Sequence, residues 1–125
     1  KLDPLNIKIY ENKVNIYLLI NNYDMAKQNI YFEVNDAYAE MIDFEKQIPL
    51  QAAKVKQTYE NLELADGRYS VGLGDYIELQ DARVNYNIAQ HSFIEAVFSY
   101  NVAKARLEQV IALEQEVTTK LEDKI

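Results

Sequence analysis

Two carboxylates, Glu78 and Asp81, follow the stretch Gly67-Arg68-Tyr69-Ser70-Val71-Gly72-Leu73-Gly74-Asp75 and are the first residues whose types and spacing could do chemistry. Three apart, they fall on one face of a helix. As a general acid and base they make a poor pair, because both lie in the first turns after a turn, with no second polar cluster nearby to move a pKa. Glu78 also has a simpler use, since Asp75-x-x-Glu78 has the spacing of an N-cap with its capping box. His91 is the single histidine and sits between Gln90 and Ser92. A metal there would need to recruit Glu95, so a surface or interhelical hydrogen bond is the simpler expectation. Gly72-Leu73-Gly74 is too short for a phosphate loop and is not followed by Lys-Ser/Thr. It reads as a turn. No catalytic residue, metal site or cofactor site is expected, and the chain does not read as an enzyme.

The elements that position these residues are two helices and a reversal. Asp3 suits a cap and Pro4 the first helical position, so Lys1-Leu2-Asp3-Pro4 carries a start signal. One heptad row then runs Ile20, Lys27, Val34, Met41, Ile48, Val55, Leu62, Tyr69, apolar except at Lys27. Its companion, Ile16, Tyr23, Ile30, Ala37, Phe44, completes the alternation of a coiled-coil seam. Past Phe44 the companion positions are Gln51 and Thr58, while the apolar Ala52 and Tyr59 stand one residue later, so the seam is expected to shift. Pro49 sits there and predicts a kink near 45–49, or a split into two helices. At the far end either Gly72 or Gly74 can take the left-handed conformation that ends a helix.

The return helix has an unbroken seam: Leu79, Ala82, Tyr86, Ala89, Phe93, Ala96, Tyr100, Ala103, Leu107, Val110. A second apolar flank, Ile77, Val84, Ile88, Ile94, Phe98 and Val102, cannot meet the same partner. A helix apolar on two sides packs between neighbours, which predicts a multi-helix wall. The tyrosines and phenylalanines of the seams read as packing residues. The exposed apolar pair Val71 and Leu73, beside glycine at a loop tip, is a contact candidate. The expected organisation is a hairpin over 1–113, with a long helix about 4–68, a tip 69–75 and a return helix about 76–113, followed by a charged tail 114–125 in which Val117 and Leu121 could prolong the helix. The fold class is all-α, a long antiparallel coiled-coil hairpin. About 65 helical residues at about 1.5 Å each would give a first arm on the order of 95 Å, too long and thin to order itself without partner helices.

Composition narrows the classes further. The 125 residues carry a net charge of −7, which argues against nucleic acid as a partner. There is no cysteine, hence no disulfide, thiolate metal site or thiol nucleophile. The longest uncharged apolar run, Val14 to Asn22, falls short of the ~20 residues a membrane helix requires. The chain opens at Lys1 rather than at a methionine and is expected to be a processed piece or a fragment.

Ala65-Asp-Gly-Arg-Tyr-Ser-Val-Gly72, then Asp75-Tyr-Ile-Glu-Leu-Gln-Asp-Ala82, Ala89, Ala96, Tyr100-Asn-Val-Ala103 and Leu107, resemble the C-terminal half of the TolC family of outer-membrane efflux ducts. The likeness extends over about 1–112. It implies a homotrimer whose hairpins form an α-helical barrel, a periplasmic tunnel standing on an outer-membrane β-barrel absent from this chain. It also implies two partners, a periplasmic adaptor protein that grips the tip at Val71, Gly72, Leu73 and Gly74, and an inner-membrane transporter that supplies energy. The family's constriction carboxylates fall on Glu78 and Asp81, which a threefold axis would arrange as a cation-selective ring. Tyr69 matches a tyrosine of the closed-state lock. The matching arginine position holds Gly74, leaving Arg68 as a substitute. Other readings of the same hairpin are a structural coiled-coil scaffold and the α-hairpin of an adaptor.

Overall fold

The computed structural model of the chain describes residues 3–123, without the side chains of Leu121 and Glu122. Lys1, Leu2, the end of the expected tail and the packing of Leu121 therefore lie outside it. Two helices make up the fold, α1 over Pro4–Ser70 and α2 over Tyr76–Glu122. They pack on each other as an all-α hairpin, with no strand among the described residues. At the start of α1 the Asp3 carbonyl accepts the Ile7 N–H at 3.2 Å and its Oδ1 accepts that of Leu5 at 3.5 Å. Pro4 thus occupies a position where no N–H is required. None of the described helical segments is long and apolar enough to cross a membrane.

Residues 37–109 form one compact unit, and the chain up to Asp36 with the chain from Val110 forms another. In the first unit every member of the return seam from Leu79 to Leu107 is buried or half-buried. The buried positions among the described residues are Ala37, Ala65, Leu79, Ala89, Ala96 and Ala103. Five of these six are alanines. Alanine lets two helix backbones approach closely, and the larger Phe44, Tyr86, Phe93 and Tyr100 flank that contact half-buried. Tyr59 of α1 and Tyr86 of α2 meet in a tilted contact across the border of the seam, ring centres 5.5 Å apart. A hydrogen bond from Tyr59 to Glu63, together with that carboxylate's charge, raises the phenol's pKa above its ordinary value.

The expected shift of the α1 seam does not occur. Gln51 and Thr58 stay half-buried on the row of Ala37, Phe44 and Ala65, while Ala52 and Tyr59 are exposed. Helix geometry, rather than hydrophobicity, decides the row: a continuous heptad keeps facing its partner. The polar side chains are accommodated individually. Thr58 Oγ1 donates to the carbonyls of Lys54 at 2.9 Å and Val55 at 3.0 Å. Gln51 reaches into a pocket between Phe44, Ser92, Ala96 and Ser99, where its Oε1 is buried without a hydrogen-bond partner. Nor does Pro49 divide α1, which continues through it. The proline lies on the exposed side, where water can satisfy the carbonyl it leaves unbonded.

In the second unit Tyr23, Ala26 and Ile30 of α1 border a crevice with Glu114, Val117 and Thr118 of α2. The acidic stretch after Leu113 is helical to Glu122. Thr118 and Thr119 donate to the carbonyls four residues back, and Lys120 pairs with Glu116 one turn before it. That bond, and the lysine's charge, hold the Glu116 carboxyl below its ordinary pKa. A depressed carboxylate stabilises the fold above its unfolded pKa and stops doing so as pH falls through the folded value. Helicity around Glu116 should accordingly decline slightly on acidification through the carboxylate range. Amide NMR should detect this, and Lys120→Ala should remove that pH dependence.

Leu79 is 2% exposed and is the one large side chain among the buried positions. Its replacement by alanine should cost about 2–5 kcal/mol. Thermal unfolding followed by circular dichroism should show the loss as a lowered midpoint.

Candidate functional site

The tip is built by two hydrogen bonds that end α1. The Leu73 N–H donates to the Arg68 carbonyl at 2.9 Å and the Gly72 N–H to the Tyr69 carbonyl at 3.0 Å. Gly72 has φ +74°, the sole positive φ among the described residues. This is a Schellman motif, with Gly72 as the left-handed residue and Leu73 just after it. Of the two glycines that could have ended the helix, Gly72 does so. Gly74 serves another purpose: a Cβ there would lie 2.9 Å from the Tyr69 nitrogen and 3.1 Å from the Arg68 carbonyl carbon. The loop therefore folds back flush against the last turn of α1, and a side chain at 74 would push it away. An arginine has no room there.

The chain then enters α2 through Asp75, whose Oδ1 accepts the Ile77 N–H at 3.2 Å and whose carbonyl accepts that of Leu79 at 3.2 Å. Asp75 is the expected N-cap. The reciprocal half of the capping box does not form. Glu78 Oε1 instead meets Arg68 Nη1 at 2.8 Å, joining the two helices across the tip, with both side chains about half exposed. At that exposure the pair contributes at most about 1 kcal/mol. Asp66 and Arg83 form a looser second bridge at 3.8 Å. Farther along, Glu40 pairs with Arg106.

The remaining residues singled out from the sequence fall as follows. Tyr69 is partly exposed, its ring centre 6.0 Å from that of Tyr76. Val71 and Leu73 are 67% and 76% exposed. The residue after a Schellman glycine ordinarily packs back on the helix, and Leu73 points outward instead. Asp81 is exposed and makes no ion pair among the described residues. With Glu78 it borders an open groove between the arms that also takes in Leu64, Ala65, Ile77 and Ile88. His91 is exposed. Among the described residues no three His, Asp or Glu side chains converge as metal ligands. Neither cross-tip bridge was visible in the sequence, because residues ten or more apart meet only once the loop geometry is fixed.

The family model described as outer membrane efflux protein matches residues 13–113. The chain belongs to that family. The matched segment takes in most of α1, the whole tip and α2 as far as Leu113. It is a family of efflux channel components of the outer membrane rather than of enzymes, which bears out the resemblance carried by the tip and the alanine repeat. Comparison with curated proteins and with solved structures gives no significant match.

The three glycines should respond differently to alanine. Gly67 is helical with open space around it, so Gly67→Ala should stabilise by about 0.5–1 kcal/mol. Gly72→Ala should cost about 1–2 kcal/mol for its left-handed φ. Gly74→Ala should also destabilise, through the clash with α1. Thermal melts of the three variants would check the order.

Proposed function

We propose that this hairpin is part of the periplasmic tunnel of a trimeric outer-membrane efflux duct, with its tip as the entrance. One observation supports this reading above the rest. The second flank of α2, with Ile77, Val84, Ile88, Phe98 and Val102, is exposed along the hairpin while the opposite flank is the buried seam. A helix apolar on two sides is suited to a wall in which each hairpin lies between others. In such a wall Glu78 and Asp81 would come together around the axis at the mouth. Arg68 and Tyr69 would sit among the interhelical contacts that hold the mouth shut. The mechanism is passive conduction: cargo enters when the tips separate, and the energy comes from an inner-membrane transporter.

The tip suits a docking role. Val71 and Leu73 flank Gly72 on a loop whose backbone is fixed by the Schellman bonds and by the fit of Gly74. The apolar groups are thus presented by a rigid support, which lowers the entropic cost of binding. The partner expected there is a periplasmic adaptor protein.

Two substitutions in the full-length protein test the reading separately. Phe98→Glu should reduce the trimer fraction in native mass measurement and reduce export with it. Leu73→Asp should leave the trimer intact and weaken adaptor capture about tenfold or more, the equivalent of losing roughly 1.4 kcal/mol. A Phe98→Glu protein that remained trimeric and active would remove the wall from the proposal. Undiminished adaptor capture by Leu73→Asp would remove the tip.

A further inference from the structure

We infer that Arg68 is the residue that sets how much negative charge the hairpin tip presents, by cancelling Glu78 and leaving Asp81 as the effective carboxylate. The inference rests on the reading of the tip as a tunnel entrance. It concerns which residue determines ion preference there.

Four carboxylates lie between Asp66 and Asp81, and three of them are committed. Glu78 Oε1 meets Arg68 Nη1 at 2.8 Å. Asp66 faces Arg83 at 3.8 Å. Asp75 accepts the Ile77 N–H and caps α2, where the positive end of the helix offsets part of its charge. Of these four, Asp81 alone has neither a cation nor a capping role among the described residues. From a distance of about 8–10 Å, one screening length at ordinary ionic strength, Arg68 and Glu78 act as a small dipole. Asp81 acts as an unbalanced charge, and its potential falls off more slowly.

The cancellation does not depend on a strong bond. Arg68 and Glu78 are about half exposed, so solvent screens the contact. What brings the two charges to the same side of the tip is the placement of the Arg68 backbone, which is held by the loop. Its carbonyl accepts the Leu73 N–H at 2.9 Å, and the Gly74 backbone lies so close that an added Cβ would be 3.2 Å from the Arg68 Cβ. The root of the Arg68 side chain is therefore held within reach of Glu78. Gly74, where the resemblance leads one to expect an arginine, belongs to the same arrangement: the cation comes from α1, and the loop supports its root.

The test uses the full-length protein in planar bilayers under a potassium chloride gradient, with the reversal potential read for Arg68→Gln, Glu78→Gln, Asp81→Asn and the double variant Arg68→Gln/Glu78→Gln. Thermal melts confirm that each variant is folded. Arg68→Gln should raise cation preference severalfold by uncovering Glu78, and Asp81→Asn should lower it severalfold. Glu78→Gln should lower it by leaving Arg68 unbalanced, and the double variant should return to the parent value. All of these shifts should shrink as salt is raised. If Arg68→Gln has no effect while the double variant loses preference as Glu78→Gln does, Glu78 acts alone and the inference is overturned with the tunnel reading intact. If none of the four variants moves the reversal potential, the tip is not on the ion path and the tunnel-entrance reading fails as well.

Discussion

The hydrogen bond from the Leu73 N–H to the Arg68 carbonyl fixes the length of the turn, and the length of the turn fixes the register of everything above it. In an antiparallel pair, adding or removing one loop residue moves every cross-helix contact. The ion pairs Arg68–Glu78 and Glu40–Arg106 join residues 10 and 66 apart in sequence, and both are centred on position 73. The register established at the tip is therefore kept nearly thirty residues along each arm. It is what places the alanines of α2 against α1, and it requires a glycine at 72 to admit the positive φ and another at 74 to let the loop lie flat.

The two faces of α2 share one helix but have different surroundings. One is consumed by the hairpin and packs through alanines that alternate with the half-buried Tyr86, Phe93 and Tyr100. The other carries larger aliphatic and aromatic side chains into solvent. A hairpin designed to stand alone would place its bulky residues in the seam and its polar ones outside. Here a second apolar flank is left on the outside, and it is this flank that the proposed wall of hairpins would cover.

Most of this was legible in the sequence, because heptad spacing and the Gly72–Asp75 punctuation are local signals. The return seam from Leu79 to Leu107 and the capping by Asp3 and Asp75 follow from residue type and period, and the exposure of Val71 and Leu73 from their place beside the turn glycine. Two things did not. Hydrophobicity suggested that Ala52 and Tyr59 replace Gln51 and Thr58 in the seam, but the heptad holds its face and the polar groups adapt, Thr58 by bonding its own main chain. The partner of Glu78 was hidden as well. A carboxylate three residues after Asp75 looks like a capping box until the loop brings Arg68 to it.

The alanine seam has a mechanical consequence. Interlocked large side chains resist sliding, since each knob must climb out of its hole before it can move on. A contact made of methyl groups, such as that of Ala89, Ala96 and Ala103, presents shallow ridges. At the alanines a small rotation of α2 against α1 has little to climb over, whereas the half-buried Tyr86, Phe93 and Tyr100 between them resist sliding. Such a seam lets a helix turn about its own axis more readily than slip along it.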